Sequence, residues 1–220
     1  MTGSSHAFAP ETPDPQDRGA GLDWLRDFFT SAPPPLELPG KRVFVRSPRV
    51  ADWHEWSRLR ARSWRFLQPW EPSWTLDALS RPAYRRRLKQ YAADWERDEG
   101  YSFMVFSRDD RPQLVGGIAL NNVQRGVADS AVMGYWMGEP FAGQGYMREA
   151  VPLVLDFAFY KLGLHRVEAA CLEENTRSHS LLTKAGFQHE GEARGLLKIN
   201  GAWRDHLVFA ILRDDPRGPR

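Results

Sequence analysis

The stretch of this chain best suited to chemistry is Gly134-Tyr-Trp-Met-Gly-Glu-Pro-Phe-Ala-Gly-Gln-Gly-Tyr-Met-Arg-Glu-Ala150, where a strand-like run enters a glycine turn that opens into a helical pattern. Glycine lets the backbone curve tightly and lets a ligand approach it closely, and the unpaired N–H groups that begin a helix attract phosphate oxygens. Arg148 adds one positive charge, and Glu149 in the first turn suits the helix dipole. No Lys-Ser/Thr pair follows the glycines, which argues against a P-loop nucleotidase. A plain strand-to-helix turn also needs such glycines, so both readings stay open on this segment alone.

Two further segments could supply reactive groups. In Glu174-Asn175-Thr-Arg-Ser178, Asn175 suits a helix N-cap and Ser178 adds a hydroxyl in the first turn, although capping alone would account for both. In Trp203-Arg-Asp-His206, Asp205 is a carboxylate able to accept a proton, and equally one that faces solvent or an ion-pair partner. Glu71 and Glu139 are further candidate proton acceptors. The single cysteine, Cys171, reads as a buried core residue rather than a covalent relay. His165, His179, His189 and His206 are scattered, and no His/Cys spacing suggests a metal.

The elements that must position these groups are legible as periodicities. Val43 and Val45 alternate with other residues as in a strand, and Asp52 to Arg62 has helical spacing through Trp53, Trp56 and Leu59. A second helical region is expected over 76–98, interrupted near Pro82, and strands over 101–106, 114–120 and 131–137. Val151, Val154, Leu155, Ala158 and Leu162 predict a helix over 147–162, capped by Gly163 and irregular at Pro152, which cannot donate to the carbonyl of Arg148. A strand over 165–171 and a helix over 175–185, closed by Gly186, precede a hairpin turning at Asn200-Gly201, a pair that tolerates the two positive φ angles of a type I′ turn. The sum is an α+β domain with a mostly antiparallel sheet flanked by helices.

Residues 1–39 are rich in Pro, Gly, Ser and Asp and end in Pro33-Pro34-Pro35, so they read as an N-terminal extension outside a domain of 40–213, with a C-terminal tail over 214–220. Within the extension Leu22, Leu25, Phe28 and Phe29 fall on one helical face and predict a short amphipathic helix docked on the domain or on a partner. The net charge of +2 over 220 residues is too mild to predict nucleic-acid binding, and Arg85-Arg86-Arg87 reads as a solvated helix face. One cysteine excludes an internal disulfide, and no apolar run is long enough for a membrane span or a secretory leader, so the expected address is the cytoplasm.

The order and spacing of these segments are similar to the GNAT N-acetyltransferases, within them the RimJ/RimL group, and most closely the RimJ type, which acetylates the N-terminal alanine of a ribosomal protein. The likeness covers about residues 41–212 and rests on Phe66-Leu-Gln-Pro-Trp-Glu-Pro72, Asn121 with Arg125-Gly126, Gly134-Tyr135, Gly143 to Ala150, Asn175 with Ser178, and Asn200-Gly-Ala-Trp-Arg-Asp-His206. The resemblance implies the GNAT fold, acetyl-CoA as co-substrate and no metal. It implies pantetheine along the backbone of Tyr135, Trp136 and Met137 and pyrophosphate on amides of Gly143, Gln144, Gly145, Tyr146, Met147 and Arg148, with Asn175 reaching the pantetheine arm. Trp70, Glu71, Trp203 and Asp205 are the expected acceptor contacts, Ser178 the substitute acid and Asp205 the proton acceptor. The acceptor implied is the N-terminus of a ribosomal protein, with association with the ribosome and a monomeric or dimeric enzyme; a small amine such as an antibiotic or polyamine is the alternative. A polyamine or aminoglycoside enzyme should line its groove with carboxylates, and no concentrated acidic stretch lies near the hairpin in the sequence. A non-catalytic acyl-CoA-binding or ribosome-assembly module is a third reading. Two departures matter: Ala142 and Met147 stand where the wider family's glycine motif has other residues, and Leu182 stands where many members carry an acid-catalytic tyrosine.

Overall fold

The computed structural model describes residues 32–218. Eight strands form one sheet in the order β1-β2-β3-β4-β5-β6-β8-β7: β1 Glu37–Pro39, β2 Val43–Arg46, β3 Tyr101–Ser107, β4 Leu114–Gln124, β5 Ser130–Met137, β6 Arg166–Cys171, β7 Gln188–Ile199 and β8 Ala202–Leu212. Every pairing is antiparallel except β5 with β6. The helices are α1 Trp53–Arg62, α2 Trp64–Leu67, α3 Arg81–Glu96, α4 Tyr146–Asp156 and α5 Thr176–Ala185, with a π-helical turn over Phe157–Lys161.

The period-2 alternation of the strands produces two cores, one on each face. Val43, Val45, Phe103, Val105, Ala131 and Met133 pack with Val151, Val154 and Leu155 of α4 and Leu182 of α5. On the other face Met104, Phe106 and Leu114 pack with Trp56 and Leu59 of α1 and Tyr84 and Leu88 of α3. That second face also buries an ion pair, Arg46 bidentate to Asp52, with the guanidinium 4.1 Å from the centroid of the Phe106 ring. No helix of the described residues is long and apolar enough to cross a membrane.

Several expectations need correction. The amphipathic helix expected over 21–30 lies outside the described residues. The fold starts inside the segment assigned to the extension: β1 pairs with β2, Ser47 N–H donates to the Leu36 carbonyl at 3.0 Å, and Leu36 and Leu38 pack against the core. At the other end Arg217 pairs with Asp156 and lies over the rings of Phe159 and Tyr160 at 5.1 and 5.2 Å, so 214–218 are packed rather than a tail. Pro82 does not interrupt a helix; it sits in the first turn of α3, where its missing N–H costs nothing, behind the Ser80 cap. α4 continues through Pro152, and the irregularity falls in the π-helical turn that follows it.

The corrected boundary carries a prediction. A chain beginning at Gly40 loses the packing of Leu36 and Leu38 and the β1 ladder. Against one beginning at Ala32 it should lose about 2 kcal/mol or more, or roughly 4–8 °C in Tm. Equal thermal melts for the two chains would show that β1 contributes nothing.

Candidate active site

The parallel strands β5 and β6 pair only from Ser130–Val132 to Arg166–Glu168, whereas β6 stays paired with β8 along its whole length, to Cys171–Leu207. Beyond Val132 the two strands part, and the β6-facing backbone of β5 from Met133 to Met137 is left without a neighbouring strand. Tyr135, Trp136 and Met137 lie on this freed segment. Their register is held from the other side by β4, where Gly117 faces Trp136 and Gly116 faces Met137. Gly117 is needed there, because a Cβ would stand 2.4 Å from the Trp136 indole nitrogen.

The glycine turn follows a 3-10 turn, Glu139–Phe141. Gly143 and Gly145 have φ of +78° and +85°, and Gly145 is the N-cap of α4, so the amides of Tyr146, Met147 and Arg148 open the helix with no side-chain cap. Nothing lies within 4 Å of where a Cβ of Gly143 would be. The Met147 side chain is buried in the core, which leaves its backbone for any ligand. Arg42 was missed from sequence: its guanidinium donates to the Gln144 carbonyl at 3.1 and 3.2 Å and lies 4.9 Å from the Tyr146 ring centroid. Glu149 does more than suit a dipole, since it accepts from Arg42 N–H at 2.6 Å and ties β2 to the turn.

On the far side of the split, Asn175 caps α5 by accepting from Ser178 N–H at 3.1 Å. The Ser178 side chain stands close to the Tyr135 phenol, so the structure brings together two residues that the sequence had assigned to different tasks. Burial pushes the Tyr135 phenol well above the ordinary tyrosine range; the nearby Ser178 hydroxyl offsets part of this and nearby Cys171 adds to it. Leu182, at the position of the missing tyrosine, is wholly buried in the core. Burial also pushes the Cys171 thiol up to about 11, so it is protonated at neutral pH and a poor nucleophile.

A groove of about 610 Å³ opens on the α1/α3 face of the sheet, lined among others by Arg60, Glu71, Trp74, Asn121, Tyr135 and Trp136. Glu71 is held by Arg60 in a bidentate pair at 2.6 and 2.8 Å and accepts from the Trp74 indole at 2.9 Å. Both of its oxygens are thus engaged, which removes it as a free proton acceptor and makes it a wall of the groove. The Arg60 guanidinium lies 4.4 Å from the Trp74 ring centroid and 4.8 Å from that of Trp136. Trp70 is half-buried in a 3-10 turn and does not line the groove; Trp74, four residues on, does. Glu139 is exposed beside the glycine turn.

The Asn200-Gly201 turn has the two positive φ angles expected, and Asn200 N–H donates to the Glu71 carbonyl at 2.9 Å, joining the hairpin to the groove loop. Asp205 Oδ1 accepts from Gly195 N–H at 2.6 Å, where the β7 register shifts between Ala193 and Leu197. A second pocket of about 230 Å³ is lined by Glu173, Glu174, Glu192, Trp203, Arg204, Asp205, His206 and Leu207. The expectation that no acidic concentration lies near the hairpin is therefore corrected: four carboxylates from three chain segments meet there, which no local run of sequence reveals. Trp203 is 69% exposed at this pocket, and Arg204 pairs with Glu174 at 2.6 Å.

Residues 42–188 match the family model described as acetyltransferase (GNAT) domain. Among curated proteins the chain is 39% identical over 178 residues to "Probable N-acetyltransferase YjcK" of Bacillus subtilis (strain 168), covering 81% of this chain and 98% of that protein. It is 29% identical over 187 residues to the [ribosomal protein uS5]-alanine N-acetyltransferase of Escherichia coli (strain K12), covering 85% and 96%. Among solved structures, Mycobacterium smegmatis RimJ in complex with CoA-disulfide superposes with a TM-score of 0.74 at 32% identity, covering 81% of this chain and 86% of that one.

Proposed function

Because the chain belongs to the GNAT acetyltransferase family, and so transfers acetyl groups from acetyl-CoA to amines, we propose that its acceptor is a protein N-terminus, specifically the N-terminal alanine of a ribosomal protein. The observation that carries this is the near full-length likeness to the uS5-alanine enzyme. The groove beside the split strands supports it, since about 610 Å³ is room for several residues of an extended peptide. A cytoplasmic address and contact with the ribosome belong to the same reading. The acidic hairpin pocket favours a second one, a polycationic small amine held by Glu173, Glu174, Glu192 and Asp205.

Acetyl-CoA supplies an activated thioester, and the residues present fit it. The freed edge of β5 at Tyr135, Trp136 and Met137 offers peptide groups to pantetheine, and a backbone N–H near Met137 polarises the thioester oxygen. The amides from Gly143 to Arg148 receive the pyrophosphate, with the Arg42 guanidinium beside them. The capping bond occupies Asn175 Oδ1, so its Nδ2 is the group that reaches the pantetheine arm. Ser178, with the Tyr135 phenol behind it, returns a proton to the departing thiolate.

Gly145→Val tests the cradle. A β-branched residue is strained at φ +85° and crowds the backbone that meets phosphate. Calorimetry should find acetyl-CoA affinity lowered about tenfold or more; unchanged affinity would place the pyrophosphate elsewhere. The acceptor is tested by thiol release from acetyl-CoA with alanine-starting peptides, polyamines and aminoglycosides. The fastest release is expected with the peptides. Preference for a polyamine or aminoglycoside would move the assignment to the second reading, and no release with any amine would leave acyl-CoA binding without catalysis.

A further inference from the structure

We propose that His206 takes the proton from the attacking amine. The proposal rests on the acetyl-transfer reading of the groove but not on which amine occupies it. His206 is 3% exposed on β8, and its Nδ1 lies 2.9 Å from the Arg204 carbonyl oxygen. A carbonyl can only accept, so Nδ1 carries the hydrogen and the lone pair of the neutral ring is on Nε2. Among the described residues no hydrogen bond is made to Nε2, and His206 is one of the residues that line the 230 Å³ pocket.

The register sets the side of the sheet on which the ring stands. Leu207, Phe209 and Ile211 share the α4/α5 face with their partners Cys171, Ala169 and Val167. His206, Val208 and Ala210 therefore take the opposite face. Ala210 is level with Glu168, and Glu168 with Val132, so Gly134 and Trp136 of β5 lie on that face too. His206 and the groove wall Trp136 thus flank the split from its two sides. Glu173, Glu174, Glu192 and Asp205 line the pocket against one cation, Arg204, already paired with Glu174; this surplus of negative charge attracts an ammonium group. Of the other candidates, both oxygens of Glu71 are held by Arg60 and Trp74, Glu139 stands beside the glycine turn, and Asp205 is exposed with its Oδ1 held by Gly195 N–H, whereas His206 is buried.

In the step, an N–H bond of the ammonium breaks, its electron pair stays on nitrogen and the proton binds Nε2. The freed pair forms the N–C bond to the acetyl carbon while the carbonyl π pair moves onto oxygen. As that pair returns, the C–S bond breaks, the thiolate takes the Ser178 hydroxyl proton, and the second proton shed by the adduct nitrogen restores the Ser178 hydroxyl, leaving the neutral amide and the free thiol. An α-amine is mostly ammonium at neutral pH, so an adjacent base raises the reactive fraction.

The test uses whichever amine the intact enzyme acetylates fastest, so failure of the N-terminal reading does not affect it. In His206→Gln, kcat should fall about 10²-fold or more, with acetyl-CoA affinity and Tm retained, and the rate should recover as pH rises because solvent then deprotonates the amine. A loss under about fivefold, or a pH profile parallel to that of the unaltered enzyme, overturns the proposal. Should the variant not fold, the unaltered enzyme decides the matter with two saturating acceptors of different basicity. A kcat acid limb at the same pH for both belongs to the enzyme and supports His206; a limb that moves with the acceptor shows that the amine sheds its proton unaided.

Discussion

Of two peptides sharing their first residues, the one with a free N-terminus is expected to be acetylated roughly 300-fold faster than one blocked there and offering a single lysine. Only the neutral amine attacks, and the reference pKa is about 7.7–8.0 for an α-amine against about 10.4 for lysine. At pH 7.5 about a third of the first is neutral and about one part in a thousand of the second, a gap of about 3 kcal/mol. A histidine base does not erase it, because withdrawing a proton from the more basic lysine stays costlier by the same difference. The groove then only has to orient the terminus between Trp74, Trp136 and the hairpin. Mass spectrometry after a fixed incubation separates the outcomes, and comparable modification of both peptides overturns the N-terminal assignment.

Ser178→Ala should lower kcat by about 10²- to 10⁴-fold with little change in acetyl-CoA affinity, if its hydroxyl protonates the thiolate. The Tyr135 phenol sharpens this expectation, because its burial keeps it protonated across any usable assay pH. Tyr135→Phe leaves Ser178 in place but removes the second hydroxyl, and should lower kcat less than Ser178→Ala does. A loss under fivefold in Ser178→Ala, measured in single turnover so that product release does not mask it, would return Ser178 to the helix cap and leave water as the acid.

How much of this was legible in the sequence follows from the range of the interactions concerned. The strand alternation at Val43 and Val45, the Asn200-Gly201 turn and the caps at Asn175 and Gly186 depend on neighbours a few residues apart, and the sequence shows them. β1 was hidden because its three residues lie between Pro33-Pro34-Pro35 and Gly40 and end in Pro39, which looks like a linker, while its partner, β2, was read alone. The site divides along the same line. The glycine turn and the run into α4 are contiguous and were readable, whereas Arg42 against Gln144 and Ser178 against Tyr135 are brought together only by the sheet, and Glu71 meets Arg60 only through the turns that follow α1. Trp70 was chosen over Trp74 because nothing in the spacing says which indole the Arg60–Glu71 pair will hold. The carboxylates at the hairpin escaped notice for a similar reason, since none lies in an acidic run longer than the two residues Glu173-Glu174.

The insertion of β8 between β6 and β7 has a consequence for how the enzyme comes into being. The strand made last is an inner strand, and the tie between Asn200 and the Glu71 carbonyl spans well over half the chain. Closure over such a separation is late and slow relative to local structure. A nascent chain that has emerged only as far as α4 already contains β5 and the whole glycine turn, yet it has neither His206 nor the hairpin that seals the groove. The turn proposed to receive the pyrophosphate is thus encoded early in synthesis and the proposed base near the end, so a chain cut short before β8 lacks that base whatever else it retains.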